Sequence, residues 1–288
     1  IIPIIIISLV FYFDNKVHIK QDLEFLNIPI VGEIPHTSSE NIKNLDEINN
    51  SSRLKIHESI RMMIANLNYF FRGGENNNDL SKSLLITSSV KGEGKTLVST
   101  HISKLLSFAN KKTILIGADL RNPQIHKFTN HDKSEAGLSN YLSGSKSDWK
   151  SLLKKSDNLD ILLSGSIPPN PGELLESKRF TSLIKDLKSI YDFIIIDSAP
   201  CLLVADTLQF SKNIDGSLLI VRANQTTNDI LKYIESLKKD DKLNNIHLVL
   251  NGVGISQSYG YKYGYQYGYK YGYNYGYGYG YGNETEKN

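Results

Sequence analysis

The 288-residue sequence holds a single cysteine, Cys201, so no disulfide closes within the chain, and a buried thiol in a reducing compartment is the expectation. It has no block of Lys and Arg. The 33 basic and 30 acidic residues leave a net charge of +3, and no patch awaits a nucleic-acid partner. The seven histidines are scattered, none at metal-ligand spacing from a Cys or carboxylate; His126 and His131, the closest pair, read as loop residues. Long apolar runs are scarce too. Residues 1–13 would span about 20 Å as a helix, against ~30 Å of hydrocarbon. No basic segment precedes that run and no small-residue cleavage site follows it, which disfavours a signal peptide. With no initiator methionine at its head, it reads as the cytoplasmic end of a transmembrane helix that begins upstream. Tyr12 and Phe13 would then lie at the interface, with Lys16 and Lys20 beyond it. A buried strand is the alternative.

What is present in quantity is alternation. Apolar runs at 84–87, 112–117, 159–163, 192–197, 216–221 and 246–250 read as strands, separated by helical patterns or polar turns. Continuous apolar strands alternating with helices predict an α/β fold with a mostly parallel sheet covered on both faces, its ligands at the carboxyl ends of the strands. An amphipathic stripe through Ile60, Met63, Ile64, Leu67, Phe70 and Phe71 predicts a further helix over 54–71, residues 147–154 read as a short helical piece, and the prolines from Pro168 open a helix to about Ile190.

The first strand runs into Ser89-Val90-Lys91-Gly92-Glu93-Gly94-Lys95-Thr96 and then into a helical pattern ending near Ala109. Strand, glycine-bearing turn and helix in that order make a phosphate cradle. Gly92 and Gly94 let backbone N–H groups close on phosphate oxygens, and the helix N-terminus favours negative charge. In G-x-x-x-x-G-K-[ST], the lysine reaches the β- and γ-phosphates and the hydroxyl sits on Mg²⁺, roles that fall to Lys95 and Thr96. The first glycine of that pattern is lacking, with Ser89 in its place; Ser89, Gly92, Glu93, Gly94, Lys95 and Thr96 are the expected ATP-binding set. A surface turn is the bland reading of such a match, and the flanking strand and helix argue against it.

Two acids complete the constellation. Asp197 ends the strand 192–197 and reads as a carboxylate near Mg²⁺, while Asp119 and Arg121 follow the strand 112–117 and so fall on the same rim. Phosphoryl transfer needs positive charge on the phosphates, a metal and an acceptor held in line, rather than covalent help from protein. Lys95, Thr96, Asp119 and Asp197 supply that set, with Thr96, Asp119 and Asp197 the expected metal residues.

These three segments resemble the Walker A, Walker A′ and Walker B motifs of the bacterial tyrosine kinases that accompany capsule and exopolysaccharide export. Gly137–Leu142, Pro168–Leu175 and Leu250–Val253 match the same family, and the resemblance covers roughly residues 14–282. It implies an ATP- and Mg²⁺-dependent tyrosine autokinase with Lys95, Asp119, Arg121 and Asp197 catalytic. It also implies a homo-oligomeric ring, the polysaccharide polymerisation and export machinery and a protein-tyrosine phosphatase as partners, and attachment to the bacterial inner membrane with the kinase facing the cytoplasm. The implied layout is the end of a transmembrane helix (1–13), a juxtamembrane segment and linker (14–52), the kinase domain (53–258) and a phosphoacceptor tail (259–288).

The departures from the family pattern are again absences. The A′ turn, usually Asp-x-Asp-x-Arg, has Gly117 for its first acid, which leaves Asp119 alone to position or deprotonate an acceptor hydroxyl. The Glu-x-x-Arg-x-x-Arg helix of ring assembly keeps Glu58 and Arg61 but has Ile64 for its last Arg. Lys91 is one residue too close to Lys95 to serve as the signature lysine of partition-type ATPases. The tail carries Tyr259, Tyr261, Tyr263, Tyr265, Tyr267, Tyr269, Tyr271, Tyr273, Tyr275, Tyr277, Tyr279 and Tyr281, spaced by Gly, Lys, Gln or Asn. As a strand it would put every ring on one face, but glycine at most alternate positions weakens a strand. The expected state is a disordered run that enters an active site in extended form, and the family resemblance implies that neighbouring subunits phosphorylate it. The rival readings are a partition-type P-loop ATPase and a catalytically weak membrane scaffold, the latter favoured by Gly117.

Overall fold

The computed structural model describes residues 14–36, 50–72, 81–129 and 131–254. The apolar run 1–13, most of the expected linker and the tyrosine tail lie outside the described residues. The strands are β1 (Ile30–Pro35), β2 (Lys82–Ser88), β3 (Thr113–Gly117), β4 (Lys154–Ser156), β5 (Leu159–Leu162), β6 (Phe193–Asp197), β7 (Gly216–Arg222) and β8 (Ile246–Val253). The helices are α1 (Asn50–Arg72), α2 (Lys95–Phe108), α3 (Leu138–Leu142), α4 (Pro171–Glu176), α5 (Lys178–Lys188), α6 (Asp206–Phe210) and α7 (Asn228–Lys239).

All eight strands join one sheet in the order β1–β8–β7–β2–β6–β3–β5–β4. Only β4, paired with β5, runs antiparallel. The central strands each carry an apolar run, as at 84–86, 114–116, 193–196 and 218–221, because both of their faces are covered. On one face Leu85, Ile114, Ile194, Ile196 and Leu219 pack with Phe180, Leu183 and Leu187 of α5 and with Leu231 and Ile234 of α7. On the other, Ile86, Leu115, Ile195 and Ile220 pack with Ile60 and Met63 of α1 and Val98 and Ile102 of α2. The α/β fold is as the sequence predicts. Among the described residues no helix is long and apolar enough to cross a membrane.

Three local readings differ. The helix expected from Pro168 to about 190 is two, broken at Ser177, whose backbone is extended and whose hydroxyl accepts from Phe180 N at 3.2 Å to cap α5. The stretch 147–154 is a short 3-10 turn followed by edge strand β4 instead of a helix. The segment expected as juxtamembrane belongs to the sheet: β1 lies parallel to β8 with Glu33 opposite Leu250. Val17, Leu23, Leu26 and Ile28 are buried in the same core as α7.

Sheet order positions the site. Strands β2, β6 and β3 are immediate neighbours, with Asp197 in register with both Ile86 and Gly117. Their carboxyl ends therefore open side by side.

Candidate active site

The loop after β2 takes its shape from two glycines in the left-handed region, Gly92 (φ 92°) and Gly94 (φ 102°), which L side chains rarely adopt. A Cβ on Gly94 would also overlap Asn251 Nδ2. α2 starts at Lys95, directly after this turn, so its first N–H groups face the loop. Lys95 Nζ lies 2.9 Å from Asp119 Oδ2 and 3.9 Å from Asp197 Oδ1, and Thr96 Oγ1 donates to Asp197 Oδ2 at 2.8 Å. The four side chains expected to work together do meet, from three strand ends, and all four are buried. The Asp197 carbonyl also holds the A′ turn, accepting from Ala118 N at 2.8 Å and Asp119 N at 3.1 Å.

The electrostatics follow from burial. Desolvation pushes the Asp197 carboxyl up to about 6, against the opposing pull of Lys95 and the Thr96 hydroxyl. Burial works against the charge on Lys95, but the Asp197 and Asp119 carboxylates outweigh it and hold its ammonium above the ordinary value. Lys95 is thus a committed cation in a pocket of partial negative charge. Asp197 Oδ1 is buried without a hydrogen-bond partner. An unsatisfied carboxylate oxygen beside the Thr96 hydroxyl is the donor set a hard divalent cation takes. These residues fit Mg²⁺.

The other expected residues have partners of their own. Arg121 lines the same cavity as Lys95 and Asp119 and makes two contacts with Asp206 Oδ2, from Nε at 2.9 Å and from its terminal nitrogen at 2.8 Å. Glu93 turns its carboxylate inward, accepting from Val90 N at 2.9 Å and from Thr226 Oγ1 at 2.5 Å. Burial raises its pKa despite these bonds. Its side chain is a strut inside the loop, and the whole residue is buried. Ser89 is fully buried, with its carbonyl accepting from Leu202 N at 3.2 Å. Gly117 has no room for the absent acid, because a Cβ there would overlap Ser164 Oγ and stand 2.9 Å from Ser164 N. Glu58 and Arg61 pair with each other at 2.7 Å on exposed α1.

A set of bracing residues has no motif to announce it. Arg222 donates to Gly92 O at 2.6 Å, Gln225 to Lys91 O at 3.3 Å, and Asn251 to Glu93 O at 2.8 Å. The loop 222–228 that supplies two of them is itself tied to the N-terminal segment. Asn224 N donates to Val17 O at 2.7 Å, Val17 N to Thr226 O at 2.9 Å, and Asn228 N to Asn15 O at 2.9 Å.

The phosphate floor opens into a cavity of about 450 Å³. Lys95, Thr96, Asp119, Phe128, Pro200 and Leu203 are among the residues that line it.

Comparison with known proteins agrees with this geometry. The sequence model of the AAA domain family matches residues 81–248. Tyrosine-protein kinase CpsD of Streptococcus pneumoniae is 35% identical over 190 residues, 63% of this chain and 84% of that protein. A putative tyrosine-protein kinase in the cps region of Klebsiella pneumoniae is 32% identical over 249 residues, 81% of this chain and 34% of that longer protein. Among solved structures, the kinase domain of the Escherichia coli tyrosine kinase ETK superposes with a TM-score of 0.72 at 25% identity, covering 83% of this chain and 96% of that one. For the fold alone, MinD of Pyrococcus horikoshii, solved with Mg-ADP, has a TM-score of 0.50 at 21% identity, covering 59% of this chain and 70% of that one. With family, relatives and kinase-domain fold agreeing over the residues that carry the three strand-end motifs, the chain belongs to the bacterial tyrosine kinases and is a protein-tyrosine kinase.

Proposed function

We propose that this chain transfers the γ-phosphoryl group of ATP to tyrosines of its own C-terminal run, between subunits, and that this autophosphorylation regulates capsule or exopolysaccharide polymerisation and export. The observation that carries the reading is the meeting of Lys95, Thr96, Asp119 and Asp197 beside an open cavity, in a chain that ends in twelve tyrosines. Lys95 neutralises the β/γ-phosphates, exchanging its bond to Asp119 for phosphate oxygens. That exchange leaves Asp119 Oδ2 free to accept the phenolic proton, while Asn122 N holds Oδ1 at 2.9 Å. The phenolate oxygen bonds to phosphorus, the bond from phosphorus to the β-bridging oxygen breaks, and ADP leaves with that electron pair. Thr96 and Asp197 hold Mg²⁺, which supplies charge neutralisation at the phosphates. The backbone of Ser89 to Gly94 cradles them, and Arg121 orders the A′ turn through Asp206.

The remaining partners follow from the same reading: a homo-oligomer in which one subunit presents its tail to the next, an export apparatus at the inner membrane reached through the N-terminal segment, and a phosphatase that resets the tail. A flexible run of the tail's length averages roughly 25–30 Å end to end, enough to reach a neighbouring active site. Each phosphate brings about −1.5 to −2 charges, so a tail carrying several favours separation of the subunits.

The test mixes Lys95→Met protein that keeps its tail with active protein truncated after Ser258, in Mg-ATP. Phosphotyrosine on the full-length partner is the expected result. Its absence, with the truncated enzyme active on a soluble tail peptide, rules out transfer between subunits. Free phosphate without phosphotyrosine from the intact chain would favour the partition-type ATPase, and neither product would favour the scaffold. Equal oligomer distributions of phosphorylated and unphosphorylated protein in the ultracentrifuge would refute the separation step.

A further inference from the structure

The cavity has two chemistries. Lys95, Thr96 and Asp119 are charged or polar and buried, while Phe128, Pro200 and Leu203 add apolar surface to the same lining. Leu203 is 61% exposed and packs in neither core cluster. Nor is it carried on a loose loop. Cys201 N donates to Ser88 O at 2.8 Å, Leu202 N to Ser89 O at 3.2 Å, and Leu203 N to Pro200 O at 3.3 Å, so the segment is stitched to the end of β2. Phe128 is fixed likewise: its N closes a turn on Ile125 O at 2.9 Å, and the Ile125 side chain is buried. Two apolar side chains are thus held on fixed backbone in the same cavity as the charged groups.

Position says what they face. The terminal phosphate belongs with Lys95 and Thr96, and the acceptor of an in-line transfer must approach from beyond it. Phe128, Pro200 and Leu203 line the same cavity as Lys95 and Thr96. We propose that Phe128 and Leu203 form the acceptor slot, clamping the phenol ring of the incoming tyrosine with its hydroxyl at Asp119. They thereby select tyrosine over serine or threonine. A tyrosyl group has an apolar body and a polar tip, the same two chemistries as the cavity lining. A serine hydroxyl would reach the base only by drawing polar backbone between the two apolar walls, where its amides lose their water.

The chain's own tail suits such a slot. In an extended segment alternate residues project to opposite faces, so Tyr-x-Tyr places successive rings on one side about 6.6 Å apart. The residue between them is glycine at most positions and offers no side chain to obstruct the approach. A shift of two residues then presents an equivalent ring to the slot. This inference rests on the tyrosine-transfer reading above and adds the residues that recognise the acceptor.

The experiment measures steady-state kinetics of the full chain on a synthetic peptide of residues 265–281, and on the same peptide with serine for tyrosine. Wild-type enzyme is expected to phosphorylate only the first. Phe128→Ala and Leu203→Ser should each raise the peptide KM about five- to tenfold while moving the ATP KM less than twofold, and Phe128→Tyr and Leu203→Met should restore it. An unchanged peptide KM in both variants, or an ATP KM that rises in step with it, overturns the slot while leaving tyrosine transfer intact. Equal use of the serine peptide by wild type also overturns it. No phosphotyrosine from the wild type on any tyrosine peptide would overturn both the slot and the reading beneath it.

Discussion

The proposed nucleotide floor and the brace of its loop meet along residues 91–96, yet they are built in different ways. The floor is Lys95, Thr96, Asp119 and Asp197: charged, buried, and placed at three neighbouring strand ends. The brace is Arg222, Gln225, Thr226 and Asn251, which hold the loop by its carbonyls and by the Glu93 carboxylate. On the proposed function, floor residues have bonds to give up, since the Lys95–Asp119 contact would open to admit phosphate. Brace residues have bonds that must persist, because a carbonyl that turned inward would spoil the cradle. Changes to the floor should therefore read out in turnover, and changes to the brace in stability and nucleotide affinity.

The most damaging test of that division is Lys95→Met. Turnover should fall at least ~10³-fold, on the order of 4 kcal/mol of transition-state stabilisation. The fold should stay intact with a lowered melting temperature, because two buried carboxylates lose their cation while the methionine stem keeps the packing. A collapse of the fold in thermal melts would make Lys95 part of the brace.

Next comes Asp119→Asn, with an expected loss of about 10²–10³ in kcat. Gly117 supplies no second carboxylate, so the loss should exceed that of the same change in a relative with both acids. Retention of most activity would move proton acceptance elsewhere. Gly117→Asp offers no simple restoration, since its side chain would overlap Ser164.

His101 probes the helix behind the cradle. Burial, reinforced by His57 and Lys104, depresses its pKa to about 4 against an ordinary 6.5, although the Leu97 carbonyl opposes the shift. The folded state therefore favours the neutral ring. Its contribution is whole above pH 6.5 and is lost as pH falls from 6.5 towards 4, about 3 kcal/mol in all. Urea denaturation across that window should show the loss, and His101→Gln should flatten it. An identical slope in the variant would assign the acid sensitivity to other groups.

Asn251→Ala should have the smallest effect. It removes the donor to Glu93 O and leaves a buried carbonyl unsatisfied, for about 1–2 kcal/mol of stability. The ATP KM should rise several-fold while kcat stays close to wild type. A drop in kcat with an unchanged ATP KM would place Asn251 on the floor instead.

Much of this was legible in the chain. Strands β2, β3, β6 and β7 announce themselves because a doubly covered strand carries an apolar run, and Lys95, Thr96, Asp119 and Asp197 each follow or end such a run. The errors share a cause. β1 is short, and its partner β8 lies more than two hundred residues on, so the segment 14–36 shows no local sign that it completes the sheet. β4 is a three-residue antiparallel edge at a stretch whose composition suits a helix. The break at Ser177 depends on a hydroxyl cap that apolar periodicity does not encode.

Sequence alone settled the fold class and pointed to the glycine loop and the acids that share its rim, because glycine geometry, strand burial and charge are local demands on residue type. Only the tertiary structure decided that Glu93 is a strut, that Arg121 answers to Asp206, and that Ser164 fills the space beside Gly117. It likewise decided that residues 14–18 grip the loop that braces the cradle. Each of these is a contact between residues far apart in the chain, and the residue types alone are compatible with many partners. The sheet order selects one.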